Sequence, residues 1–243
     1  MQLADKVVLV TGGGSGIGLG IAEAFAQEGC RVAITGRSES RLMHAAESVA
    51  ADTPVLWKAC DVSDRQSVRE LFDWLTQELG SPDILVNSAG INVANRLFEN
   101  IDPDDFDYVL AVNVTGSFNC IHAALPAMRQ KGDGVIINIV SISGLHASIL
   151  GGLPYSISKF GQSALGLFAN LELAEQGIRV TNIYPGEANT PILDKRPAPP
   201  PEEKRAAMLQ PEDIAACAVC VAKLPPRAVV PQLVIVPPYM VYG

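Results

Sequence analysis

Residues 6–18 read KVVLVTGGGSGIG, an apolar run that leads into a glycine-rich turn and then into a helical pattern. After Lys6 the run is continuously apolar, which predicts a strand covered on both faces. Gly12, Gly16 and Gly18 have the spacing G-x-x-x-G-x-G. We expect Gly12 to permit a sharp turn, Gly16 to let phosphates approach the backbone and Gly18 to let the helix lie close on the sheet. The stretch predicts a doubly wound α/β fold whose turn either receives a pyrophosphate or merely connects strand and helix.

The alternation of strand and helix continues along the chain. Strands are predicted at 6–10, 31–35, 55–58, 83–87, 134–140, 178–184 and 232–236. Helices are predicted at 17–28, 39–50, 64–79, 103–129, 154–175 and 212–223. Because strand, helix, strand repeats form right-handed crossovers, we expect a seven-stranded parallel sheet with helices on both faces, in one domain over residues 1–243. The proline-rich segment 187–210 is the exception, and we expect it to be an irregular substrate lid.

Composition excludes several classes of function. The 243 residues are 48% hydrophobic, enough for a sizeable core, and the net charge of −8 disfavours nucleic acid and anionic membranes as partners. No run approaches the ~18 consecutive apolar residues of a membrane span, and residues 1–10 lack a signal-peptide pattern, so we expect a cytoplasmic protein. Of the five cysteines only Cys217 and Cys220 have CxxC spacing, without a second ligand pair, so we expect free thiols and no metal.

Further motifs follow the predicted strands in order. They are Asp61-Val62 after the third strand, Asn87-Ser88-Ala89-Gly90 after the fourth, Asn113 in the long helix, Ser141 after the fifth strand, Tyr155 and Lys159 in YxxxK spacing, and Pro185-Gly186 with Thr190 after the sixth. Together with TGGGSGIG, this set over residues 5–236 resembles the short-chain dehydrogenase/reductase family. The resemblance implies a Rossmann-like fold, a nicotinamide dinucleotide as cofactor, and interconversion of an alcohol with a ketone or aldehyde.

The resemblance also implies which residues bind the cofactor. They are Gly12, Ser15, Gly16, Ile17, Gly18, Arg37, Asp61, Val62, Asn87, Ala89, Gly90, Tyr155, Lys159, Pro185, Gly186 and Thr190. In this family-like arrangement Asp61 would bond the adenine, Asn87 and Gly90 would line the adenosine and ribose region, and Thr190 with residues 183–186 would hold the nicotinamide end.

The end of the second predicted strand bears on the choice between NADP and NAD. An acid there would accept from the ribose 2′-OH, whereas an arginine pairs with a 2′-phosphate. This chain has Gly36 followed by Arg37, which favours NADP. Alternatively, Arg37 stacks on the adenine or pairs with Glu39 and discriminates nothing.

Tyr155 and Lys159 are four residues apart at the start of a helix, so their side chains share one face. A nearby ammonium favours a phenolate, which makes a tyrosine a usable general acid/base near neutral pH. The resemblance implies that Tyr155 protonates the carbonyl oxygen, that Lys159 lowers the pKa of Tyr155 and holds the nicotinamide ribose, and that Ser141 stabilises the oxyanion. It further implies that Asn113 anchors a water that relays protons. Ser143 stays an alternative to Ser141. The resemblance implies a serine 13 residues before the tyrosine, whereas Ser143 lies 12 residues and Ser141 lies 14 residues before Tyr155.

The resemblance implies a small carbonyl compound or alcohol as substrate, and we expect its pocket to be formed by residues 92–96, residues 145–153 and the lid. Ser143, His146 and Glu187 are the candidates for contact with it. Glu187 either faces a polar substrate or pairs with Lys195 or Arg196, and the two lid cations either close over a carboxylate or are simply solvated.

We expect a homodimer or homotetramer that associates through helices 103–129 and 154–175. The alternative function is a catalytically silent dinucleotide sensor or scaffold of the same fold. The complete set of Asn113, Ser141, Tyr155 and Lys159 argues against it, because a protein that only binds the dinucleotide does not need all four.

Overall fold

The structure is a computed structural model and describes residues 2–196 and 198–240. Its seven strands are β1 Val7–Thr11, β2 Arg31–Gly36, β3 Leu56–Ala59, β4 Ile84–Asn87, β5 Gly134–Ile139, β6 Ile178–Pro185 and β7 Gln232–Ile235. They form one parallel sheet in the order β3-β2-β1-β4-β5-β6-β7. Every strand lies within one residue of its predicted bounds, so the predicted doubly wound fold is confirmed.

The strand order reverses between β1 and β4, which opens a crevice at the carboxyl ends of these two strands. Thr11, the last residue of β1, is in register with Asn87, the last residue of β4. The Thr11 hydroxyl accepts hydrogen bonds of 3.1 Å from the backbone N–H groups of Ser88 and Ala89. The turn after β1 and the loop after β4 are therefore fixed together at the mouth of the crevice.

Helices cover both faces of the sheet. They are α1 Gly16–Gln27, α2 Glu39–Ser48, α3 Arg65–Glu78, α4 Pro103–Leu110, α5 Gly116–Lys131, α6 Leu153–Leu173, α7 Glu202–Ala207 and α8 Pro211–Lys223. Successive side chains of β1 enter different cores, since Val8 and Val10 pack with α1 and α8, whereas Val7 and Leu9 pack with α3 and α5. Burial on both faces explains why the central strands β1 and β4 are nearly continuously apolar.

The predicted helix over 103–129 is one continuous helical run in the structure, Pro103–Lys131. A π-helical turn at Ala111–Thr115 separates α4 from α5. The start of the helix is as predicted, because the Asp102 carboxylate caps it through a 2.9 Å bond from the Asp104 N–H. By length and composition the whole run Pro103–Lys131 is long and apolar enough to cross a membrane, but half of its apolar window is buried in the fold. A core helix meets the same criterion.

The segment 187–210 is more regular than predicted. It contains a 3₁₀ turn at Pro191–Lys195 and the short helix α7, which begins once the prolines have passed. The base of the segment is closed by backbone bonds from Leu209 N to Glu187 O (3.0 Å) and from Asn189 N to Leu209 O (2.8 Å). The Lys195 side chain and Pro197 lie outside the described residues.

Candidate active site

A cavity of about 860 Å³ occupies the crevice at the carboxyl ends of the strands. Most of the predicted site residues lie on its wall. These are Gly12, Ser15, Gly16, Ile17, Gly18, Arg37, Asp61, Val62, Ala89, Gly90, Ser141, Ser143, Tyr155, Lys159, Pro185, Gly186, Glu187 and Thr190. Three other predicted residues, Asn87, Asn113 and His146, are not among the described residues that line it.

The glycine turn forms one end of the cavity. Gly12 and Gly16 have φ values of +67° and +55°, in the left-handed region that favours glycine. A Cβ at Gly12 would lie 2.8 Å from the Ala89 Cα, and a Cβ at Gly18 would lie 2.4 Å from the Gly12 carbonyl oxygen. The turn thus closes tightly on itself and on the loop after β4, and the first turn of α1 presents its backbone N–H groups to the cavity. This geometry fits an anionic phosphate group.

Two arginines stand beside the start of α2. The Arg37 guanidinium lies 5.5 Å from the centroid of the Tyr108 ring, a stacking partner that the sequence did not indicate. Arg41 lines the same wall and was not predicted, although it lies one helical turn beyond Arg37. Across the crevice, Asp61 Oδ1 accepts bonds from the backbone N–H (2.9 Å) and hydroxyl (2.7 Å) of Ser63, which fix the carboxylate.

Tyr155 lies deeper along the cavity, in the first turn of α6. The Ser141 hydroxyl lies near enough to its phenol to lower the pKa of Tyr155. The same Ser141 oxygen accepts a 3.0 Å bond from the Ser143 N–H, which holds it in place. The Ser143 hydroxyl instead lies toward Gly151, 3.2 Å from where a Cβ on that glycine would stand. The geometry thus brings Ser141 rather than Ser143 to the phenol.

The expected lowering of the Tyr155 pKa by Lys159 is not what the structure shows. Burial raises the pKa of Tyr155, and the opposing contributions come from the Ser141 hydrogen bond and from the charges of Arg196 and Arg96. Burial also lowers the pKa of Lys159 to about 7, so its ammonium is only partly charged at neutral pH. The Lys159 Nζ lies 5.6 Å from the Tyr155 ring centroid.

A chain of buried hydrogen bonds extends from Lys159 away from the cavity. The Lys159 Nζ donates to the Ile139 carbonyl (2.9 Å) and to Gln162 Oε1 (2.7 Å). Gln162 Nε2 donates to Ser117 Oγ (2.9 Å), which donates to the Asn113 carbonyl (2.9 Å) in the π-helical turn. Sequence reasoning missed Gln162 and Ser117. The spacing of Gln162, three residues after Lys159 on the same helix, was the available signal.

Asn113 is fully buried and fixes two elements to each other. Its Nδ2 donates to the Ile91 carbonyl (3.0 Å) and to Ser158 Oγ (2.9 Å), and its Oδ1 accepts from the Ile91 N–H (2.8 Å). These bonds attach the loop after β4 to the first turns of α6. The Asn113 side chain therefore positions the cavity wall, and lies behind it.

Asn87 is buried in an asparagine ladder that crosses three strands. Its Nδ2 donates to Asn138 Oδ1, and Asn138 Nδ2 donates to Asn182 Oδ1, each over 2.9 Å. A Cβ at Gly166 would come within 1.9 Å of the Asn182 oxygen, so α6 needs glycine there. The ladder holds the Asn87 side chain in the sheet, and that Asn87 lines the adenosine and ribose region stays a prediction.

His146 is exposed and is not among the described residues that line the cavity, so its contact with a substrate stays a prediction. The 3₁₀ turn at Ile142–Gly144 continues into a bond from His146 N to Ile142 O (2.9 Å).

The substrate end of the cavity carries a cluster of charges. Glu187 forms a 2.9 Å ion pair with Arg196, accepts from the Tyr239 hydroxyl (3.0 Å) and lies 3.5 Å from the Lys204 Nζ. Burial alone would raise the pKa of Glu187, but the hydrogen bonds from Arg196 and Tyr239 and the charge of Lys204 hold it below its usual range. The two alternatives for Glu187 were contact with a polar substrate and pairing with a cation of the lid. The structure shows the pairing, with Arg196.

The segment after β7 was not predicted to reach this site. Met240 lines the cavity, and Tyr239 binds Glu187. Among the residues that the structure describes, no three His, Cys, Asp or Glu side chains come together in a way that could hold a metal ion.

The fold and this cavity define a doubly wound α/β protein with a ligand site at the switch point of its sheet. The family model described as short chain dehydrogenase matches residues 6–200. The chain belongs to this family, and its similarity to relatives that are named oxidoreductases shows that it is an oxidoreductase. An uncharacterized oxidoreductase of Staphylococcus saprophyticus is 35% identical over 239 residues, which cover 98% of this chain and 99% of the relative.

Solved structures agree with this assignment. The closed form of serine dehydrogenase complexed with NADP+ superposes with a TM-score of 0.87 at 28% identity, covering 98% of this chain and 97% of the other. An alcohol dehydrogenase of the archaeon Thermococcus sibiricus, complexed with 5-hydroxy-NADP, has a TM-score of 0.86 at 27% identity, covering 98% of this chain and 99% of the other.

Proposed function

We propose that this chain is an NADP-dependent oxidoreductase that interconverts a small alcohol and the corresponding ketone or aldehyde. The observation that carries the proposal is that Tyr155, Ser141 and Lys159 lie on the wall of one cavity whose other end is the glycine turn. When bound, the dinucleotide accepts the hydride from the carbinol carbon or returns it to the carbonyl carbon.

Tyr155 is the general acid/base. In the reductive direction its phenol gives a proton to the substrate oxygen, and in the oxidative direction the phenolate takes the hydroxyl proton. Ser141 donates to the same oxygen, where negative charge develops, and its own position is fixed by the Ser143 N–H. A preorganised donor at such a point contributes roughly 3 kcal/mol of transition-state stabilisation.

Lys159 would hold the nicotinamide ribose through its ammonium. Ile139 and Gln162 each accept one of its three N–H bonds, which leaves the third for the ribose. Ser117 and Asn113 continue the chain from Gln162. In this proposal they hold Lys159 in place, and Asn113 would anchor the proton-relaying water that the resemblance implies.

The adenosine end would take the 2′-phosphate of NADP. Gly36 has no carboxylate that could accept a hydrogen bond from a ribose 2′-hydroxyl. Arg37, Arg41 and Ser38 line the wall beside it. Arginines pair with phosphates through charge-assisted bonds. The two structural neighbours named above were solved with NADP+ and with 5-hydroxy-NADP, which supports NADP here. NAD is the second candidate.

We also propose that the protein is a cytoplasmic homodimer or homotetramer. Large apolar side chains are exposed on α5 and α6, among them Phe168 (65% exposed) and Leu171 (80% exposed). Exposed apolar side chains on neighbouring helices are typical of a protein–protein interface. Sedimentation of the purified protein tests this assembly.

Fluorescence titration with NADPH and NADH, followed by a panel of carbonyl compounds and alcohols, tests the proposed function. We expect NADPH to bind at least tenfold more tightly than NADH, with oxidation of NADPH by at least one carbonyl. Binding without turnover on any compound would favour the sensor or scaffold. Failure to bind either dinucleotide would overturn the proposal.

A further inference from the structure

Two further segments of the chain meet at Glu187, the second residue after β6. The Glu187 carboxylate pairs with Arg196 of the lid (2.9 Å) and accepts from the hydroxyl of Tyr239 (3.0 Å), which belongs to the segment after β7. The Glu187 backbone N–H donates to the sulfur of Met240 (3.4 Å). The Glu187 side chain is only 12% exposed. The side chain and the backbone of this one residue therefore both hold the segment 236–240.

The segment 236–240 turns back from the edge of the sheet onto Gly186. The Gly186 N–H donates to the Ile235 carbonyl (2.8 Å), which continues the pairing of β6 with β7 beyond the end of β6. The Met240 N–H donates to the Pro237 carbonyl (2.9 Å) and closes a turn. A Cβ at Gly186 would lie 3.0 Å from the Met240 sulfur and 3.2 Å from the Pro237 Cδ. A side chain there would push the turn away, so glycine lets Met240 lie against the end of β6.

The end of β6 lies beside the loop that carries Ser141. The Val140 N–H, directly before Ser141, donates to the Ile183 carbonyl of β6 (2.8 Å). Because parallel strands end at the same edge of a sheet, the residues that follow β6 emerge next to those that follow β5. Gly186, and Met240 packed against it, therefore lie on the Ser141 side of the cavity.

Met240 gives the cavity an apolar surface whose position is fixed. Among the described residues, Met240 and the lid residues Ile192 and Leu193 line the cavity, whereas Pro237 and Tyr239 do not. A free methionine side chain is flexible and adapts to irregular gaps. This one is held at its sulfur by the Glu187 N–H, and its backbone is held by the turn. A fixed apolar side chain limits the size of a group that binds beside it, because an overfilled pocket is strained.

We propose that Met240 is a specificity-determining residue, which restricts the substrate to a compact apolar group on one side of its carbonyl or carbinol carbon. Glu187 and Tyr239 are positioning residues, which act by holding Met240 against the end of β6. This inference rests on the proposed function and narrows its substrate class. In a packed apolar pocket, one methylene too many lowers kcat/KM by about tenfold or more.

The test uses a series of ketones in which only one substituent grows. The probes 2-pentanone, 3-hexanone and 4-heptanone share a propyl group and carry methyl, ethyl or propyl on the other side, and each is reduced with NADPH. For the unmodified protein we expect kcat/KM to fall by at least about tenfold at one of the two steps. Met240→Ala should raise kcat/KM for 4-heptanone relative to 2-pentanone by at least about tenfold, whereas Met240→Phe should lower this ratio further. The opposite signs separate the size of the pocket from a general disturbance of the fold.

Met43→Ala is the matched control. Met43 lies on α2, is 40% exposed and is not among the described residues that line the cavity. The same substitution there should leave the ratio unchanged. Tyr239→Phe tests the positioning role, because it keeps the ring and removes only the hydroxyl that binds Glu187. We expect it to raise the ratio by about threefold. A purely structural role of Tyr239 would lower the melting temperature and leave the ratio where it was.

The dissociation constant for NADPH, measured by fluorescence for each variant, separates the substrate from the dinucleotide. Met240→Ala should leave it unchanged while the ketone ratio rises. An unchanged ratio in Met240→Ala, or an equal rise in Met43→Ala, would overturn the inference, and weaker NADPH binding with an unchanged ratio would place Met240 at the dinucleotide instead. If the unmodified protein reduces the three ketones equally well, or reduces only other carbonyl compounds, the inference fails and the proposed function stands. If NADPH neither binds nor is oxidised, the proposed function itself fails.

Discussion

The Lys159 Nζ lies 2.7 Å from the Oε1 of Gln162, a side chain with no exposed surface. A buried ammonium needs an acceptor, since burial disfavours its charged form. Gln162 supplies that acceptor and is itself held by its bond to Ser117. The charge on Lys159 therefore depends on Gln162, which is not among the described residues that line the cavity.

Gln162 is expected to set the pH range in which Lys159 is charged. Gln162→Leu removes an acceptor, lowers the pKa of Lys159 further and moves the alkaline limb of the kcat profile to lower pH, with roughly a tenfold loss of kcat at pH 8. Gln162→Glu places a carboxylate against the ammonium and moves that limb to higher pH. The pH dependence of kcat for the two variants checks this. Shifts in the same direction, or none, would show that Gln162 is only a packing residue.

Lys159 should also couple folding stability to pH. Its pKa in the folded protein is lowered to about 7 by burial, whereas in the unfolded chain it is about 10.4. Between these values the unfolded chain binds more protons, so stability rises with pH across this window, and the full penalty is present below pH 7.

Thermal unfolding of the protein and of Lys159→Met at pH 6, 8 and 9.5 measures this coupling. The melting temperature of the protein should rise relative to that of the variant by about 3–6 °C between pH 6 and pH 9.5. The bonds that Lys159→Met leaves unpaired at Gln162 and Ile139 shift the variant equally at every pH. A difference that is constant with pH would contradict the assigned pKa.

Gly36 and Arg37 are expected to decide the choice of dinucleotide. A Cβ at Gly36 meets only the Leu42 Cδ2, at 3.7 Å, so an aspartate fits there without strain. Gly36→Asp with Arg37→Ala should weaken NADPH binding by at least about tenfold and strengthen NADH binding, because a carboxylate repels the 2′-phosphate and accepts from a 2′-hydroxyl. Fluorescence titration measures both affinities. Unchanged relative affinities, also after Arg41→Ala, would show that the 2′ position is read elsewhere.

The roles of Ser141 and Ser143 can be distinguished by mutation, because their hydroxyl groups have different neighbours. Ser141→Ala removes the hydroxyl bound to Tyr155 and should lower kcat by about 100-fold. Ser143→Ala keeps the backbone N–H that holds Ser141 and should change kcat less than fivefold. Steady-state kinetics of both variants with one substrate decide the matter. The reverse order would assign the oxyanion contact to Ser143.

The sheet could be predicted from the sequence because its physical signal is local. A strand covered on both faces is mostly apolar, and β1, β5 and β6 are buried along their whole length, although β6 also carries Arg179, Thr181 and Asn182. The glycine turn could also be predicted, because two of its positions need a positive φ and a third lies against a carbonyl oxygen. The π-helical turn at Ala111–Thr115 has no such signal, because it depends on the contacts of Asn113 with the loop after β4 and with α6.

The candidate site was only partly predictable for the same reason. Tyr155, Lys159 and Ser141 were found from spacing and resemblance, but the pKa of Lys159 depends on burial, and that of Tyr155 depends on burial and on charges from distant segments, Arg196 and Arg96. The place of His146 could not be predicted, because a single tight turn decides whether a loop residue faces the cavity. Tyr239 and Met240 were missed because their contacts with Glu187 and Gly186 join residues more than fifty positions apart.

Tyr155→Phe is the variant that tests the central claim most directly. The substitution removes one oxygen and keeps the ring, so the dissociation constant for NADPH measured by fluorescence should change less than about threefold, while turnover of any carbonyl substrate should fall by about 1000-fold. This pair of results is the outcome that the account predicts. Turnover within tenfold of the unmodified protein, with NADPH binding intact, would contradict the assignment of Tyr155 as the proton donor.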